Sequence, residues 1–377
     1  MSQINTNAIL DASGGTTATV NGFTPTVSNM AGRNRIINGD MRIDQRNAGA
    51  AVTLTNQGYG LDRWTTWFSQ TGKYTAQQNQ GSVTPPVGFV NYHGITSSSA
   101  YTVTSTDYFH IAQKVEGYNI ADLNWGTANA KTITVSFWVR SSLTGDFGIL
   151  LRNGAGSHVY GTTYAISSAN TWERKTITIV GPTIGTWDST NGNGIFVIFG
   201  LGHGSSQTVS ANGSWLNEGK LGASGATSVV GTSGATFYIT GVQLEEGSVA
   251  TPFEHRLYGQ ELALCQRYYY KTTPEASARA ATLGYNATTT IHNGVGSFPV
   301  PLRITPTALE QSGTASNYGV AYLSTSATAS AVPAFDIRTS NTMYVVQFTV
   351  ASGLTAGQAS RGQSLNANGF LAWSAEL

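Results

Sequence analysis

Charge is what this sequence has least of. Only 10% of its 377 residues are Asp, Glu, Lys or Arg, against about 25% in an ordinary soluble domain. The surface must therefore be built from Thr, Ser, Asn, Gln and Gly. The 20 basic and 19 acidic residues nearly cancel, at a formal +1, and such a chain has no electrostatic grip on nucleic acid or on an anionic membrane. The one cysteine, Cys265, excludes an intrachain disulfide, unlike small secreted scaffolds stapled by oxidation. No apolar run approaches the roughly 20 residues of a membrane helix, and Met1 to Asn7 lacks the basic and apolar regions of a signal peptide. The expectation is a protein made in a reducing cytoplasm, without membrane insertion, that leaves by lysis or within a particle.

Catalytic patterns are missing too. His93, His110, His158, His203, His255 and His292 are scattered, with no metal-ligand spacing, so neither a metal nor another cofactor is expected. There is no Gly-x-Ser-x-Gly and no phosphate-binding loop. Glycoside hydrolysis needs two carboxylates about 5 to 10 Å apart. Glu245 and Glu246 are adjacent and point to opposite faces of a strand. Asp40 and Asp44, taken as a strand, share a face but stand about 13 Å apart. The chain is expected not to be an enzyme, with a polysaccharide depolymerase as the enzymatic alternative.

What is abundant is glycine, at 44 residues, together with Thr, Val, Ile, Tyr and Phe. These build short strands joined by tight turns. Ile133, Val135, Phe137 and Val139 alternate onto one face, and residues 172–179 alternate likewise. Residues 194–200 are continuously apolar, as in a strand covered on both sides. The helix signal lies at 257–271, where Tyr258, Leu262, Cys265 and Tyr269 recur at i, i+4, i+7 and i+11. That stripe suits either packing within the chain or an oligomer interface. The organisation expected is all-β: an N-terminal docking arm (1–34), a β-sandwich or barrel (35–253), a linking helix (254–273) and a C-terminal β-domain (274–377).

Two blocks carry a resemblance. The first runs Arg35-Ile36-Ile37-Asn38-Gly39-Asp40-Met41-Arg42-Ile43-Asp44-Gln45-Arg46 and continues at Leu61-Asp62-Arg63-Trp64. The second runs from Gly241-Val242-Gln243-Leu244-Glu245-Glu246-Gly247 through Thr251-Pro252-Phe253-Glu254 to Cys265-Gln266-Arg267-Tyr268-Tyr269-Tyr270. Together they resemble a family of bacteriophage tail-fibre, carbohydrate-binding-module-like virion proteins, over roughly residues 33 to 271. The resemblance implies a jelly roll for the sandwich. It also implies a virion location, a homotrimer, attachment to other virion proteins through the arm, and binding to host surface glycan. Such jelly rolls often hold a structural calcium. Asn38-Gly39-Asp40 suits that site, but Thr240-Gly241-Val242 stands where acidic ligands are usual, so no metal is expected.

Sugars are held by aromatic faces, with hydroxyls and amides around them. Trp187 and Trp215 stand in polar stretches, and binding groups concentrate in loops. Trp64 and Trp67, three residues apart on a strand, face opposite sides, so one is buried and the other free. These four are the candidate sugar contacts. The functional expectation is a receptor-binding virion subunit, with a purely structural head fibre, capsid decoration or collar protein as the alternative.

Overall fold

The computed structural model describes residues 32–272, 279–322 and 325–377. The chain divides into two units, at Arg256 and Leu257. The arm expected at 1–34 lies outside the described residues except for 32–34.

In the first unit the strands are β1 (Gly58–Leu61), β2 (Trp64–Phe68), β3 (Tyr74–Gln78), β4 (His93–Ser97), β5 (Tyr108–Glu116) and β6 (Ile133–Ser141). There follow β7 (Gly145–Asn153), β8 (Val159–Ile166), β9 (Glu173–Ile179), β10 (Asn193–His203), β11 (Trp215–Leu216) and β12 (Thr236–Glu246). They form a seven-stranded sheet, β1-β2-β5-β10-β7-β8-β11, and a five-stranded one, β3-β4-β12-β6-β9. All named pairings are antiparallel, and one core fills the space between the sheets: a jelly-roll sandwich. Ile133, Val135, Phe137 and Val139 of β6 point into that core, as their alternation requires. In β10, Ile195, Val197, Phe199 and Leu201 face the same core. Phe196 and Ile198 face a second, smaller one on the outside of the sheet.

The two sequence blocks behind the resemblance, some 200 residues apart, meet here. The Asn34 side chain donates to the Val242 carbonyl (3.0 Å) and accepts from the Leu244 (3.1 Å) and Ile36 (2.9 Å) amides. Glu254 accepts from the Gly32 and Asn34 amides, and Arg256 donates to the Ile36 and Asn34 carbonyls. A bulge in β12 makes this possible. Its register shifts between Thr240 and Gln243, with Gly241 at φ +62°, and a Cβ there would lie 2.6 Å from the Phe89 ring. Residues 38–44 form an irregular turn and not a strand, so Asp40 and Asp44 share no strand face. Asp44 instead accepts from the Asn47 and Gly49 amides.

The second unit opens with α1 (Tyr258–Gln266). Its strands are β13 (Tyr269–Lys271), β14 (Arg279–Asn286), β15 (Ile291–Ser297), β16 (Glu310–Gln311), β17 (Tyr318–Tyr322), β18 (Thr325–Thr328), β19 (Ala334–Phe335), β20 (Met343–Thr349), β21 (Ala359–Ser364) and β22 (Leu371–Ser374). They make a three-stranded sheet, β13-β22-β16, and a seven-stranded one, β18-β17-β21-β14-β15-β20-β19. Phe298, Tyr344, Phe348 and Trp373 anchor their core. The helix is shorter than expected. Aromatic residues favour strand over helix, and the tyrosine run leaves the helix to pair, with Tyr270 opposite Trp373 in β22. The expected interface stripe is therefore not one surface: Tyr258 is exposed, Leu262 is half-buried, and Cys265 and Tyr269 are buried, Tyr269 on a strand.

Candidate functional site

The outer face of the seven-stranded sheet of the first unit is half sealed and half open. Over β7 and β8 the stretches on either side of β11, from Gly204 and on to Thr227, lie against the outer face of the strands. Val209 and Leu221 pack there on Leu150, Val159 and Ile198. Small residues make the fit possible: a Cβ on Gly161 would stand 2.8 Å from Val209, and one on Gly222 would stand 2.5 Å from the His203 ring. His203 ties the segment down, its Nε2 lying 3.2 Å from Nδ1 of His110 in β5.

The open half is aromatic and cationic. On β5, Tyr108, His110, Ala112 and Lys114 alternate outward while Phe109, Ile111 and Val115 fill the core. Trp67 of β2 pairs with His110 and stacks on its ring (5.8 Å between centroids, 17° between planes). It also meets Phe196 of β10 at 5.3 Å. The Lys114 ammonium lies 5.5 Å from the Trp67 ring centre and 5.7 Å from that of Phe196. From the other side, the Arg152 guanidinium of β7 lies 5.9 Å from Phe196. Trp67, Tyr108, Lys114 and Arg152 are all half-exposed, so the rim can be touched from solvent. Burial holds His110 neutral, well below the usual imidazole range, and the neighbouring His203 and Arg152 push it the same way.

Beyond Phe196 and Arg152 along the same strands lies a cleft of about 390 Å³ lined by Gly154, Ala155, Thr186, Asp188 and Asn193. Asn193 opens β10 three residues before Phe196, and Gly154 follows Arg152 by two at the end of β7. At about 3.3 Å per residue the Asn193 backbone lies about 10 Å along β10 from that of Phe196. The Thr190 amide and hydroxyl hydrogen-bond Asp188 and hold it below the usual carboxylate range. Among the described residues the Asn193 amide oxygen has no hydrogen-bond partner. Phe196 and His110 are buried beneath the strip, so the reachable rings are Trp67 and Tyr108. With amides, hydroxyls and charges around them they suit a polar ligand with apolar ring faces.

The four candidate tryptophans part company. Trp64 is fully buried and donates from its indole to the Asn38 carbonyl, while Trp67 faces outward, as their parity requires. Trp187 and Trp215 are not loop platforms. They meet Trp125 in a three-ring cluster with centroids 4.8 to 5.3 Å apart. Their indole N–H groups donate to the Ile184 and Val180 carbonyls. Trp187 is buried in the core, and Trp215, half-buried, lies in β11 against β8. Sequence reasoning missed Tyr108, Lys114, Arg152 and Phe196. The alternation along 108–115 was the available signal for the first two.

Among the described residues, no three His, Cys, Asp or Glu side chains converge as metal ligands. Asp40, weighed for calcium, pairs instead with Arg42 at 2.5 Å. In the second unit Ser360 donates to the Asn286 amide oxygen (2.5 Å) and lies 2.7 Å from Nδ1 of the buried His292. With the serine proton committed to Asn286, Nδ1 is the donor to Ser360, and the imidazole is not placed to activate that hydroxyl.

No family model matches the chain, and no curated protein matches it. Solved structures do align. A carbohydrate-binding module of family 4 aligns over 55% of this chain and 97% of its own, at 16% identity and a TM-score of 0.28. A family 11 module from Clostridium thermocellum, solved with a β-1,3-1,4-mixed-linked tetrasaccharide, aligns over 55% of this chain and 99% of its own (12% identity, TM-score 0.26). The enzymatically active domain of bacteriophage CBA120 tailspike protein 4 aligns over 52% of this chain but only 21% of its own (11%, 0.27). Values this low assign neither ligand nor role to this chain.

Proposed function

We propose that the protein is a phage virion component that attaches to host-surface glycan without cleaving it. The open half of the outer face is the contact. The observation that carries the binding half of this reading is the half-exposed Trp67, Lys114 and Arg152 set around the buried Phe196, on a sheet whose strands β7 and β10 end at the Asp188–Asn193 cleft. The virion half is supported by the two sequence blocks. Weak single-site affinity becomes useful when several copies engage one surface, so the working form is taken to be an oligomer, a trimer by that resemblance. Sedimentation of the purified protein tests this: a monomer at working concentration removes the multivalent part.

Glycan-array screening followed by titration of the best binder tests the site. Trp67→Ala is expected to weaken binding about tenfold or more, the usual cost of truncating a central aromatic anchor. An unchanged affinity in a folded Trp67→Ala protein would remove the face from consideration.

A further inference from the structure

We propose that the glycan bound on this face carries an oxyanion, and that Arg152 receives it beside the Phe196 ring. This deepens the glycan-binding reading and rests on it.

Phe196 is registered between Lys114 on one neighbouring strand and Arg152 on the other. The two strands flanking β10 lie about 10 Å apart, and both cationic side chains lean over the one ring between them. Among the described residues Arg152 makes no ion pair, and its buried Nε donates to nothing. Its cross-strand neighbours on the outer face are Phe196 and Val159. The nearby imidazole of His110 is neutral, and the carboxylate in the adjoining cleft, Asp188, is bonded to Thr190. Burial alone draws down the proton affinity of Arg152, with no carboxylate to offset it. A guanidinium partly removed from water without an anion is costly to keep. Its planar fork fits a carboxylate or a phosphate. Phe196 itself is buried, and the half-exposed Trp67 against it is the ring face left for the sugar bearing that group. A site for neutral glycan would need the aromatic strip and would gain nothing from an uncompensated cation beside it.

The test is titration of the full-length protein with three probes: a polyuronate, a phosphodiester-linked glycan polymer and a neutral β-glucan, each at low and high salt. The expected result is preference for an anionic probe that falls with salt. Arg152→Gln, which keeps part of the stem over Phe196, should lower the anionic affinity about tenfold and leave the neutral one unchanged. Arg152→Lys should restore part of it. Which anionic probe is preferred decides between carboxylate and phosphate. Equal, salt-insensitive binding of all three, unaltered in Arg152→Gln, would overturn the proposal while leaving glycan binding intact. Failure of every probe, with no glycan found on the array, would remove both readings together. If Arg152→Gln does not fold, the salt dependence of the unaltered protein decides alone.

Discussion

His93 lies wholly inside the sandwich, neither ring nitrogen bonded among the described residues, and burial lowers it to about 3. His110, equally buried, is lowered too. Both stay neutral in the folded chain, whereas the unfolded chain takes up these protons near 6.5. Stability is therefore complete above about pH 6.5 and declines as pH falls toward the folded values, each tenfold difference in proton affinity weighing about 1.4 kcal/mol. Calorimetry from pH 7 down to about 4 should show a falling melting temperature, and His93→Leu should flatten the slope. An identical slope in that variant would assign the acid sensitivity elsewhere. Trp187→Ala should cost about 3 kcal/mol by opening a cavity among the three rings, read as a lower melting temperature of the folded protein. The fates of Trp64 and Trp67 could be read from strand parity. Those of Trp187 and Trp215 could not, because loop residues carry no period. Whether such a ring faces water or folds back on its neighbours depends on tertiary packing alone.

At the scale of elements, the two sequence blocks that carry the resemblance turn out to close the fold. Asn34 and Glu254 fasten the entry of the sandwich to the far side of its last strand. Asn34→Ala would leave the Val242 carbonyl and the Leu244 and Ile36 amides without this partner inside the protein. It is expected to destabilise by about 3 kcal/mol, read as a lower urea midpoint at unchanged slope. A shift no larger than that of an exposed polar substitution would show that the latch is not needed. The strands at 133–141, 173–179 and 193–203 were legible because alternation, or its loss in a doubly covered strand, is a local property. The helix end was not. Periodicity carried the stripe on to Tyr269, but the deciding event was pairing with residues 372–374, a hundred positions away. The sealing of the outer face by 203–227 was equally hidden, since it depends on glycines in β8 and in the covering segment.

For the whole molecule, the apolar clusters respect the division at Arg256. The sandwich core and the cluster outside it draw only on residues before that point, and the core of the second unit only on residues after it. The latch through Glu254 and Arg256 also lies within the first unit, as does every residue of the candidate strip and cleft. A fragment ending at Arg256 thus retains its own core, its closing bonds and the proposed site. It is expected to fold cooperatively and to bind glycan with the affinity per site of the full chain, whereas the fragment from Leu257 onward should fold without binding. Thermal unfolding of each fragment, with the glycan titration repeated on both, checks this. Binding that survives only in the full chain would mean that the second unit supplies part of the contact. Binding in the Leu257 fragment alone would move the receptor site off the sandwich altogether.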